Sequence, residues 1–223
     1  MFNKPVRAIV TIDGIDGSGK SMLARRLCEV LGTRGVGFAV DDFRRPVNWG
    51  TGDAAELEVY YRRRYDLGEL DDCLRAFRDG DPACRFRTFD GAAEAIGPVR
   101  EVRFGDAVVA VVEGIFVQRL ECAVDALAVF VDIPRDEAAR RVRARDLGKG
   151  RTRADVDHRI ERRYFPAHDR YLYEQQPRER AAVLVDNREP TSPRVMRARL
   201  PQGPGWAVVR AALEELLGEK ALR

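Results

Sequence analysis

Gly14, Gly19, Lys20 and Ser21 stand at the spacing G-x-x-x-x-G-K-[ST] inside the stretch VRAIVTIDGIDGSGKS, residues 6–21. Those residue types at that spacing can hold a polyphosphate. Gly14, Gly17 and Gly19 let the backbone bend tightly. The loop N–H groups, with Asp16 and Ser18 between the glycines, can then converge on phosphate oxygens without Cβ clashes. Lys20 brings a mobile cation to the outer phosphates. Ser21 brings a hydroxyl for Mg²⁺, and the helix that begins there points its partly positive end at the anion. An apolar strand (Ala8, Ile9, Val10, Ile12) precedes the turn and a helix (Met22–Leu31) follows it, which is the order this chemistry needs.

The elements that must position this loop are bounded by length and composition. At 223 residues and 45% hydrophobic content the chain suits one α/β domain, residues 1–223. The net charge of +3 gives no case for nucleic-acid binding. Only four of the 39 basic residues are lysines (Lys4, Lys20, Lys149, Lys220), so an arginine needs positional support before it is given a role. Cys28, Cys73, Cys84 and Cys122 have no C-x-x-C spacing, which argues against a zinc site or a disulfide framework and for a reduced cytoplasm. No signal peptide and no run of 18 apolar residues occurs, so no membrane partner is expected. With only His158 and His168 present, a carboxylate must serve as any catalytic base.

Apolar runs mark buried parallel strands at Ala107–Val112 and Ala126–Ile133, and further strands read at Val6–Ile12, Gly37–Val40 and Ala181–Val185. Helical patterns cover Ala54–Arg64, Asp66–Arg78, Arg135–Arg145, Ala154–Glu174 and Trp206–Leu217. Phe86–Phe89 and Val99–Phe104 read as a β-hairpin flap over about 84–105, and Arg188–Pro204 as irregular. Strands alternating with helices imply a parallel sheet covered on both sides, with ligands at the carboxyl ends of the strands. Those ends carry the loop, Asp41-Asp42, Glu113 and Asp186-Asn187. Asp41 could take a proton from a substrate hydroxyl. Glu113, after the run VAVV, could order Mg²⁺ and its waters. The basic helix with Arg140, Arg141, Arg143 and Arg145, then Lys149 and Arg151 around Gly148 and Gly150, suits a lid over a nucleotide.

Together these residues resemble the uridine kinase family of P-loop kinases, related to nicotinamide riboside kinase and phosphoribulokinase, over roughly Val6 to Pro190. The resemblance implies a three-layer α/β/α P-loop NTPase fold with a helical Arg-rich lid at about 135–153. It also implies transfer of the γ-phosphoryl group of ATP, with Mg²⁺, to a primary hydroxyl of a nucleoside such as uridine. VDDFRRP resembles the segment whose first acid is the catalytic base and approaches the metal, here Asp41. VVEGIFV places the metal-linked glutamate on Glu113, beside Ser21. VFVDIPRDEAARRVRARD and GKGR place the lid's basic positions on Arg141, Arg145, Lys149 and Arg151. Lys20, Arg145 and Arg151 would stabilise the moving phosphoryl group, Lys149 would bind nucleotide, and Arg141 would reach substrate. YYRRRYDLGEL lies where the family holds the ribose, which places Tyr61 and Asp66 at the substrate. In FRTFD, Phe89-Asp90 stands for Tyr-Asp; no His follows it, and Arg44 stands where uridine kinases have Tyr.

Three other readings compete. Nicotinamide riboside or another small alcohol would suit the same fold. GIDGSGKS also looks like thymidylate kinase, but the Asp169-Arg170-Tyr171 motif falls after the lid. A GTPase would carry N-K-x-D, and Asn3-Lys4 lacks the Asp, which leaves an ATP-binding regulatory module as the non-enzyme alternative. A homo-oligomer is compatible with each reading.

Overall fold

Every residue of the strand AIVTID is buried, as a central strand covered on both faces must be. In the computed structural model, which describes residues 6–50 and 52–218, this strand is β1 (Ala8–Asp13). Asn3-Lys4 and Lys220 lie outside the described residues. The further strands are β2 (Gly35–Ala39), β3 (Ala83–Asp90), β4 (Ala95–Arg103), β5 (Val109–Glu113), β6 (Leu127–Asp132), β7 (Val183–Asp186) and β8 (Arg194–Ala198). The helices are α1 (Lys20–Leu31), α2 (Asp53–Glu58), α3 (Leu67–Asp79), α4 (Arg135–Leu147), α5 (Arg153–Arg159), α6 (Phe165–Gln175), α7 (Pro177–Arg180) and α8 (Ala207–Leu217). The main sheet has the order β2-β5-β1-β6-β7-β8; all pairs are parallel except β7 with β8.

Strand alternation divides the apolar side chains between two layers. Ile9, Ala110, Val112 and Phe38 face α3, whose Leu70, Leu74 and Phe77 are fully buried. Each such side chain contributes about 1.5–3 kcal/mol by leaving water. Val10, Ile12, Val111, Val129 and Val183 face α1 and α8 through Leu27, Leu31, Val209 and Leu213. Helices therefore cover both sides of a mostly parallel sheet, as the sequence implies. Among the described residues no helix is long and apolar enough to cross a membrane.

Two departures from the sequence pattern bear on the site. The expected helices at 54–64 and 154–174 each contain a π-helical turn, Val59–Arg63 and Ile160–Tyr164. Such turns change which side chains face a neighbour, and they recur at functional sites. The stretch expected to be irregular contains β8, whose Val195 and Ala198 rest on the core. β3 and β4 form a separate antiparallel hairpin, slightly longer than the pattern indicates. Its Phe86 stacks on Phe43, just after β2, with ring centroids 4.2 Å apart.

Candidate functional site

Between β1 and α1 the backbone turns through Gly14, Gly17 and Gly19 at φ of 151°, 86° and 96°. These angles suit glycine alone among the common residues. The N–H groups of Gly17 and Gly19 find no protein acceptor among the described residues. The Ser18 hydroxyl is buried and likewise unpartnered. Lys20 is only 8% exposed. A loop of uncommitted donors around a buried lysine is a cradle for an anion. Asn187, after β7, holds the loop in place: its Nδ2 donates to Ser18 O at 2.6 Å. A Cβ at Gly19 would run into that same nitrogen. Gly19→Ala should therefore cost at least ~1–2 kcal/mol from its left-handed backbone alone. In a domain of this size that lowers Tm by about 2–8 °C. Nucleotide affinity should fall with it, and an unchanged Tm and affinity would mean that the loop does not need this turn.

The two acids after β2 separate. Asp42 pairs with Arg100 of β4 at 2.9 Å and ties the hairpin to the sheet. Asp41 lines a cavity of about 140 Å³ at the carboxyl end of the sheet, where Arg44 Nη2 lies 3.4 Å from its carboxylate. Asp16 of the loop and Arg145, Lys149 and Arg151 line the same cavity. Asp146 fixes two of these cations. It is fully buried and accepts Arg145 Nε at 2.7 Å and Arg151 Nη1 at 2.6 Å. Burial pushes the Asp146 carboxyl up, but the Arg145 bond and the charges of both arginines outweigh it and hold the group below its ordinary range. Glu113, at the end of β5, is pushed up by burial. Lys20 and the Ser21 hydroxyl oppose that shift, and the charges of Asp41 and Asp16 add to it. No set of three or more His, Cys, Asp or Glu side chains suited to a metal occurs among the described residues. Mg²⁺ at nucleotide sites needs only one or two protein ligands, because phosphates and water supply the rest.

The structure thus brings Asp16, Asp41, Arg145, Lys149 and Arg151 together beside the loop. It does not bring all the expected substrate contacts there. The Tyr61 hydroxyl donates to Glu174 at 2.7 Å and its ring packs on Phe116, so Tyr60, one position earlier, lines the cavity instead. Arg141 donates to Glu137 and to the carbonyls of Asn187 and Arg188, which places it against the back of the phosphate loop. Asp66 caps α3 through Glu69 N at 3.0 Å and pairs with Arg45. Phe89 does not line the cavity; Arg44 and Arg64, which do, lie over its ring at 5.5 and 4.5 Å.

Asp13 had no signal in the sequence beyond its place before Gly14. It accepts Gly14 N at 2.7 Å and the Tyr171 hydroxyl, so α6 is fastened to the root of the loop. Burial raises its carboxyl to about 7, against the Tyr171 and Gly14 hydrogen bonds and the Lys20 charge. An unfolded aspartate releases its proton near 3.8. Between those values the folded chain binds more protons than the unfolded chain, so stability falls as pH rises from about 4 to about 7 and then levels. Asp13→Asn should flatten Tm across that window, whereas a slope equal to that of the parent chain would rule Asp13 out as its source.

The sequence model described as the Phosphoribulokinase / Uridine kinase family matches residues 9–191. No curated protein sequence matches the chain. Among solved structures, a possible uridine kinase from Bacillus stearothermophilus is 24% identical, with a TM-score of 0.62, covering 82% of this chain and 90% of that one. A candidate fructose transport system kinase from Silicibacter sp. TM1040 is 18% identical, with a TM-score of 0.63 and coverage of 78% and 89%. Phosphoribulokinase from Rhodobacter spheroides is 17% identical, with a TM-score of 0.54 and coverage of 81% and 70%. At these identities the likeness to solved structures establishes the fold and leaves the acceptor open.

Proposed function

We propose, from the premise that the chain belongs to the phosphoribulokinase/uridine kinase family, that it transfers the γ-phosphoryl group of ATP to a primary hydroxyl of a small alcohol. One observation carries this reading: Asp41 shares a single cavity with Arg145, Lys149 and Arg151 at the mouth of the phosphate loop. In this reading Asp41 is the base. It accepts the hydroxyl proton as the acceptor oxygen attacks phosphorus in line with the departing ADP. Lys20, Arg145 and Arg151 balance the charge on the transferring group, and Lys149 holds nucleotide. The Gly14–Ser21 loop, Asp16 and Ser18 included, supplies the bed for the triphosphate.

Ser21, Glu113 and Asp41 fit Mg²⁺. All three offer hard oxygen donors, and the charges of Asp41 and Asp16 that help to raise the Glu113 carboxyl are ones a divalent cation would offset. When bound, Mg²⁺ neutralises phosphate charge. The four cysteines are free thiols, which suits a reducing compartment. Uridine is the acceptor that the sequence resemblance favours, and it serves as the reference in the test. ADP release with Mg²⁺ and ATP should depend on an added alcohol. Slow release indifferent to every alcohol tried would instead make the chain an ATP-gated module.

A further inference from the structure

α4 meets the phosphate loop before it reaches the cavity. A Cβ at Gly17 would lie 2.8 Å from Ala138 O, and 3.3 and 3.4 Å from the side chains of Val142 and Arg141. The middle of the loop therefore rests on the first turns of α4. Arg141 belongs to that contact and does not line the cavity. Its side chain is 14% exposed. Its Nε donates to Glu137 Oε1 at 2.6 Å, and its Nη2 donates to Asn187 O at 2.9 Å and Arg188 O at 2.8 Å. A guanidinium holds its N–H donors in a fixed fork, which lets one side chain bind a carboxylate and two carbonyls together.

Asn187 continues the line. It is buried, its N–H donates to Asp132 O at 2.9 Å, and its Nδ2 donates to Ser18 O at 2.6 Å. Hydrogen bonds thus run from Glu137 through Arg141 and Asn187 to Ser18, from the lid helix to the loop. One turn further along α4, Arg145 lines the cavity and is held by Asp146. A single helix is bonded to the loop at its root and presents a cation to the cavity at its far end. Charge does not explain this placement of Arg141. Arg140 and Arg141 hold the Glu137 carboxyl well below its ordinary range, so the acid stays ionised at neutral pH and offsets the guanidinium beside it. What Arg141 offers a bound phosphate is geometry.

We infer that Arg141 is a positioning residue: through Asn187 it holds the phosphate loop in its anion-binding shape and keeps α4 and its lid cation in register with that loop. This depends on the reading of the loop as a nucleotide site. Calorimetric titration of ADP with Mg²⁺ into the full chain tests it, with each variant checked for folding by circular dichroism. Arg141→Ala should weaken ADP binding by about 2- to 30-fold, the range for a side chain that acts on a site through other residues. Asn187→Ala removes the last link and should weaken it at least as much. The double variant should bind no more weakly than Asn187→Ala alone, because Arg141 then has no connection to the loop to lose. Arg140→Ala removes the same charge one residue earlier, from a side chain 69% exposed and bonded to Glu137, and should leave the affinity nearly unchanged. Arg141→Lys keeps the charge without the fork and should recover only part of the loss. Should Arg141→Ala fail to fold, Arg141→Gln, which keeps an N–H donor for one carbonyl, takes its place in the cycle. Unchanged affinity on loss of Arg141, full recovery by lysine, or losses that multiply in the double variant would overturn the inference. Multiplying losses in a chain that binds ADP would remove the role of Arg141 alone, whereas a parent chain that binds no ADP would remove the nucleotide reading with it.

Discussion

Asp41→Asn should lower kcat by about 10²- to 10⁴-fold, the contribution of a positioned general base, and leave ATP affinity within a few-fold. Asparagine keeps the size of the side chain and a carbonyl oxygen for Arg44, but it cannot take a proton. The change should not disturb the fold. The Asp41–Arg44 pair lies 3.4 Å apart with Asp41 61% exposed, and pairs of that kind contribute ~0–1 kcal/mol. Asp42→Asn is the informative companion. Its carboxylate is turned to Arg100 on the hairpin, so its loss should touch stability of the flap and spare most of kcat. Turnover within a few-fold of the parent in Asp41→Asn would remove Asp41 from the role of base.

The second large effect is expected at Asp146→Ala, a residue that contacts no phosphate in this account. Its buried carboxylate holds Arg145 by Nε and Arg151 by Nη1, while its carbonyl accepts the N–H groups of Lys149 and Arg151 at 3.1 and 3.2 Å. Alanine keeps the backbone turn and releases both guanidinium groups. Loss of one cation aimed at a transferring phosphoryl group costs on the order of 10³-fold in rate, and kcat should fall by that amount. The effect on stability should be much smaller than for a buried ion pair. The arginines left behind are 42% and 35% exposed and water can solvate them. Asp146→Glu, which keeps the charge, should recover part of kcat. A variant with normal kcat, or one whose Tm collapses along with its kcat, would mean that Asp146 is only part of the core.

What could be read in the sequence was what is local. The phosphate loop depends on eight consecutive positions, and α1 follows it directly, so residue type and spacing suffice. The strands β1, β5, β6 and β7 are buried on both faces and show as mostly apolar runs that end in an acid. β8 is hidden because it is an edge strand: Arg194, Met196 and Arg197 give it a mixed pattern, and only Val195 and Ala198 meet the core. The acceptor side was less legible because it depends on rotation about helix axes. The turn at Val59–Arg63 decides that Tyr60 and not Tyr61 faces the cavity, and no residue type announces such a turn. Arg141 and Arg145 lie one helical turn apart on α4, yet one is held behind the loop and the other faces the cavity. Asp146, Asn187 and Asp13 each act in part through a partner elsewhere in the chain, five, 169 and 158 positions away. Their roles follow from packing, and the sequence alone carries no trace of it.

In the proposed reaction phosphorus moves from ATP to a carbon-bound oxygen under the control of Asp41 and the lid cations. Phosphorus NMR of a reaction containing ATP, Mg²⁺ and the alcohol that most accelerates ADP release tests it directly. A new phosphate-ester resonance should grow mole for mole with ADP, with no inorganic phosphate beyond the enzyme-free control. It should be absent in Asp41→Asn over the same time. ADP accompanied by inorganic phosphate alone, or ester formation unchanged in Asp41→Asn, would contradict the account.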